Sequence, residues 1–119
     1  MAMVAVMNDD RGVPALVVSW PSMKTMREPY VRIKVVQEHA VMAPGTTWEM
    51  WMLPPGSGAP VSMGLITTDA DQTMSLKPAL ATRMEGAWGL AMSVEPKGGS
   101  PTGAPTGPVI FKGPCVKIL

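Results

Sequence analysis

The chain has 119 residues, with ten Lys and Arg against nine Asp and Glu, so its formal net charge is only +1. An apolar fraction of 46 % excludes wholesale disorder, while 12 Gly and 13 Pro exceed their usual share and disfavour a helical bundle. The longest basic feature is Arg32-x-Lys34, which argues against nucleic acid as a partner, and no run of about 18 apolar residues is present to span a membrane.

A period-two alternation of apolar side chains runs through most of the sequence. Ala2 to Met7 predicts a first strand. Asn8-Asp9-Asp10-Arg11-Gly12 then predicts a tight hairpin with Gly12 at positive φ. Val13 to Trp20 returns as a second strand with Pro14 near its start, followed by a polar connection to about Pro29. In Tyr30 to Val35, Val31, Ile33 and Val35 face inward and Arg32 and Lys34 face water. Thr46 to Leu53 places Trp48, Met50 and Met52 on one face and Glu49, Trp51 and Leu53 on the other. Two apolar faces suit a central strand or one covered by a loop, and Glu49 then needs a partner or a sheet edge.

Pro54 to Pro60 predicts an exposed loop. Val61 to Thr67 and Met74 to Lys77 are expected as strands, and Ala79 to Glu85 as one or two helical turns. Ala87 to Glu95 predicts a strand with Trp88, Leu90, Met92 and Val94 sharing a face. Residues 96–107 carry no apolar side chain larger than Ala or Pro. Because Pro108-Val109-Ile110-Phe111 resumes as a strand, they are expected to form a long ordered crossover. The expectation is an all-β fold: an antiparallel β-sandwich of seven or eight short strands, one domain over 1–119, with at most one short helix near 79–85.

Catalytic chemistry finds little support. His39 is the only histidine and is expected on the surface, and no Gly-x-Ser-x-Gly elbow is present. Cys115, the only cysteine, cannot form an intrachain disulfide and reads as a small apolar residue of the last strand. The Gly-rich loop lacks a Gly-Lys-Ser/Thr ending, and Asp69-Ala70-Asp71 lacks the glycine and distant glutamate of a calcium loop. No catalytic, cofactor-binding or metal site is therefore expected. Trp48, Trp51 and Trp88 are expected as core or inter-sheet packing rather than a ligand cage. The 12 methionines leave one alternative open, a small exported β-domain binding Cu(I) through thioethers such as Met1, Met3 and Met7. Against it, Met50, Met52, Met63 and Met92 fall at core-like strand positions.

Four segments carry a resemblance: Trp48-Glu49-Met50-Trp51-Met52-Leu53-Pro54, Ser62-Met63-Gly64-Leu65, Ser93-Val94-Glu95-Pro96-Lys97-Gly98-Gly99-Ser100 and Pro105-Thr106-Gly107-Pro108-Val109. Together with the Asn8–Gly12 hairpin they resemble the C-terminal domain of the anti-sigma-K factor (RskA-type) family. Met50, Met52 and Met63 stand where that pattern usually carries Leu, a nearly volume-conserving change. The resemblance implies a non-enzymatic, extracytoplasmic regulatory domain of a membrane-anchored anti-sigma factor. A sigma factor would bind through an N-terminal region absent here, a missing transmembrane helix would provide the only membrane contact, and proteases would act near the membrane. A homodimer is compatible with it. The family-motif residues, structural or partner-contacting, are Trp48, Glu49, Trp51, Gly64, Glu95, Pro96, Gly98, Gly99, Ser100, Pro105, Thr106, Gly107 and Pro108.

Overall fold

Eight strands follow the alternation closely: β1 (Ala2–Asn8), β2 (Pro14–Pro21), β3 (Tyr30–Val35), β4 (Thr46–Leu53), β5 (Val61–Ile66), β6 (Asp71–Ser75), β7 (Gly89–Pro96) and β8 (Val109–Ile118). One helix, α1 (Pro78–Met84), lies between β6 and β7. The computed structural model describes residues 2–23, 26–37 and 42–118, so His39 and Met1, and the expectations attached to them, lie outside the described residues.

The strands form a single sheet in the order β5-β4-β7-β8-β1-β2-β3-β6, and every neighbouring pair is antiparallel. The all-β antiparallel expectation holds, and the two layers of the expected sandwich are the two halves of one hydrogen-bonded sheet. The sheet rolls until its edges nearly meet: a Cβ placed on Gly64 in β5 would lie 3.6 Å from the Met74 thioether in β6. The first and last strands pair at its centre, from Ala2 opposite Ile118 to Ala5 opposite Cys115.

The interior is lined by alternate residues of both halves, and methionine supplies much of it. Met3, Met7, Met23, Met50, Met52, Met63, Met74, Met84 and Met92 are all buried, and Met26 and Met42 pack against the same cluster. Their flexible thioethers fill the irregular space between facing strands, as Leu would at nearly the same volume. Trp48 meets Phe111 edge to face, ring centres 5.5 Å apart.

The β1–β2 hairpin closes as expected. The Asp9 carboxylate accepts the Arg11 and Val13 N–H groups at 2.9 and 3.0 Å, and Gly12 has φ +77°.

Three features differ from expectation. β6 begins at Asp71, three residues early, because pairing with β3 from Tyr30–Ser75 to Lys34–Asp71 recruits polar residues with little strand propensity of their own. Residues 97–108 are an ordered connection between strands, as expected, but they pass over no intervening strand, because β7 and β8 are hydrogen-bonded neighbours. Trp88 is not packed inside but is 55 % exposed. It precedes β7, and its backbone is what the sheet holds, donating N–H to Leu53 O and accepting from Cys115 N.

Candidate functional site

The face of β4 opposite the core carries Glu49 and Trp51, and both are buried. Strand register explains how they meet their partners. Glu49 pairs with Ser93 and Thr47 with Glu95, so Glu49, Trp51, Ser93 and Glu95 lie on the same outer face of β4 and β7. On the other side Trp51 pairs with Ser62 of β5. Trp51 is fully buried yet does not belong to the core cluster, and the segment that follows β7 returns to Glu49 and Glu95 on the same face.

Two carboxylates hold that segment down. Glu95 is 1 % exposed and accepts hydrogen bonds from Ser93 Oγ at 2.6 Å, Gly107 N at 3.1 Å, Thr106 N at 3.0 Å and the Thr106 hydroxyl. Ser93 Oγ in turn accepts the Trp51 indole N–H at 2.8 Å, so a relay runs from Trp51 through Ser93 to Glu95. Glu49 accepts Ser62 Oγ at 2.5 Å and Ser100 N at 2.7 Å. One glutamate therefore grips the beginning of the loop and the other its end.

The electrostatics follow from that inventory. Burial alone pushes the Glu95 carboxyl up, but the hydrogen bonds from Ser93 and Thr106 and from the amides of Gly107 and Thr106 outweigh it and hold the group at about 2. It is an anion at neutral pH, solvated by protein donors in place of water.

The loop's own residues suit this seat. Gly98 and Gly99 have φ of +95° and +101°, a region that side chains avoid, and they turn the chain back over β4 with Gly99 N donating to Pro96 O at 2.8 Å. A Cβ on Gly107 would lie 1.7 Å from Val94 O, so no larger residue fits where the loop returns to β7. Lys97 N bonds Gly45 O at 3.0 Å, and Val94 N bonds Pro108 O at 3.0 Å, tying both ends to the sheet. In between, Ser100 Oγ donates to Ala104 O at 2.5 Å and Thr102 Oγ1 to the same oxygen at 3.2 Å.

The motif residues thus divide. Glu49, Trp51, Glu95, Pro96, Gly98, Gly99, Ser100, Thr106, Gly107 and Pro108 converge on this face, and half-buried Pro105 lies within the seated loop. Trp48 points to the opposite face and packs in the core, and Gly64 sits in β5 at a sheet edge. Ser62 and Ser93 complete the network although the motif reading did not single them out as site residues. The period-two spacing of Ser93-x-Glu95 was the signal that places them on one face.

The arrangement suits holding a polar loop in a fixed shape against a sheet. Among the described residues no group of three or more His, Cys, Asp or Glu side chains could hold a metal ion. Cys115 is half-buried, and burial pushes its thiol up to about 11, which leaves it protonated and weakly nucleophilic at neutral pH. No curated protein and no solved structure matches the chain. The family model for the anti-sigma-K factor rskA, C-terminal, matches residues 1–109.

Proposed function

We propose, starting from the fact that the chain belongs to the anti-sigma-K factor rskA C-terminal family, that it acts outside the cytoplasm as the regulatory domain of a membrane-anchored anti-sigma factor. In this reading it has no enzymatic activity. Its folded state limits protease access to the adjoining membrane-proximal chain, and its opening leads to cleavage and release of a sigma factor held by an N-terminal region of the full-length protein.

The observation that carries the reading is the family match, which takes in the motif segments up to Val109. The anchored loop adds a physical means of regulation. A folded β-domain protects its backbone, and a change of 1–2 kcal/mol in its stability alters the open population about 5–30-fold. Eight strands whose outer face depends on two buried carboxylates offer a focused point at which a signal or a partner acts on that balance.

The test uses the full-length protein in cells carrying a reporter for its sigma factor. Deleting residues 1–119, or opening the loop with Glu95→Ala, is expected to change reporter output and the rate at which the remaining chain is cut. Unchanged output under every inducing stress refutes the reading.

A further inference from the structure

The two edges of the sheet are not equivalent. β6 is five residues long and carries Asp71, whereas β5, Val-Ser-Met-Gly-Leu-Ile, contains no charge and no proline. Exposed edges are normally blunted by such residues, because their unpaired N–H and C=O groups accept any extended chain. The one irregularity in β5 is a shift of register opposite Met50 and Trp51.

β5 and β6 are consecutive strands that do not pair with one another. They are pinned together at the connecting turn, where the Gln72 amide bonds Thr67 N and Thr67 O at 3.1 and 2.9 Å. They approach again where Met74 faces Gly64. Beyond that point a cavity of about 560 Å³ opens between the start of β5 and the segment from Ser75 into α1. Its apolar walls include Val61, Met63 and Leu80. Its charged walls are Lys77 and Arg83, both exposed, and among the described residues no carboxylate lines it.

We propose that this wedge is a peptide-binding site, in which an extended, carboxylate-bearing segment of a partner protein adds to the free edge of β5. Main-chain hydrogen bonds to β5 would supply affinity, and one face of the peptide would enter the cavity, its apolar side chains against Val61, Met63 and Leu80 and its acidic ones selected by Lys77 and Arg83. The inference rests on the edge, the cavity and its charge, and does not depend on the sigma-factor reading.

The probe is the hexapeptide amide Val-Thr-Glu-Thr-Val-Thr, whose two valines and glutamate share one face, titrated into the 119-residue chain and followed by backbone amide shifts and hydrogen exchange. Shifts and new protection are expected along Val61–Met63, where the wedge is open, and around Lys77 and Arg83. The same peptide N-methylated at alternate amides keeps its charge but cannot pair as a strand, and is expected to bind at least about tenfold more weakly. The double variant Lys77→Glu/Arg83→Glu is expected to prefer the same peptide with lysine in place of glutamate. Equal binding of the N-methylated peptide to the unaltered protein overturns strand addition, with no dependence on how the variant folds. Shifts confined to another face overturn the site. Dimerisation of the peptide-free chain through β5, seen by sedimentation, overturns the choice of occupant in favour of a second copy.

Discussion

The outer face of the sheet is built in two ways. Over β4 and β7 a polar loop is bonded to Glu49 and Glu95, and Glu49, Trp51, Ser93 and Glu95 on that face are all buried. Over β8, β1 and β2 the face is bare and apolar. There Val4 opposes Val116, Val6 opposes Val17 and Ala2 opposes Ile118, and Val6, Val116 and Ile118 remain 40 %, 52 % and 48 % exposed. The covered half is held by a few strong, directional bonds to charge, while the bare half gains little from each outward side chain. The lesson is that polarity and burial run opposite to expectation here: the carboxylates are inside and the valines are outside, because only the carboxylates can pair with the donors of a Ser-, Thr- and Gly-rich loop.

That contrast breaks most visibly at Glu95. Glu95→Ala leaves the Ser93 and Thr106 hydroxyls and the Thr106 and Gly107 amides without their acceptor, and is expected to cost about 3–5 kcal/mol in urea unfolding. Acid reaches the same group without mutation. Because the folded carboxyl is held at about 2, below its ordinary value of 4.5, its stabilisation is complete above about 5 and is lost as pH falls toward 2. Hydrogen-exchange protection of the Thr106 and Gly107 amides should fall over that window, while the β1–β8 ladder keeps its protection longer. Simultaneous loss in both halves would erase the distinction.

Gly107→Ala is the next largest effect, about 2–4 kcal/mol, since the added methyl collides with the Val94 carbonyl and the loop must lift from β7. Enhanced proteolytic nicking between 97 and 108 would report the lifting directly. Ser93→Ala removes the acceptor for the Trp51 indole and one donor to Glu95, for about 1–3 kcal/mol, with a change in tryptophan fluorescence as its signature. On the bare half, Val116→Ser should stay within about 0.5 kcal/mol of the parent. A cost near that of Ser93→Ala would mean that the bare face is covered in solution.

Most strand positions were legible in the sequence because a strand with one buried face writes its period directly into the side chains. Tyr30–Val35 and Thr46–Leu53 coincide with β3 and β4, and Pro78-Ala79-Leu80 announces α1 through a proline in its first turn. The need of Glu49 for a partner was also legible, as was the double-sided apolar character of its strand. β6 was not, since Asp71-Gln72-Thr73 becomes a strand only when β3 offers it a ladder. The exposure of Trp88 was not legible either: the alternation of Leu90, Met92 and Val94 continues back through it, but β7 begins only at Gly89, two residues after Ala87.

By itself the sequence determined most of the strands and the helix, the breaker-rich loops and the motif by which the family is identified, all of which are written in local periodicity and residue type. Only the tertiary structure decided that the strands close into one sheet, that Glu49 and Glu95 face the same side, and that residues 97–108 fold back to meet them. The physical reason is register. Which carboxylate meets which amide depends on how β4 and β7 are aligned across some 50 residues of chain, and that alignment is fixed by the packed core beneath them.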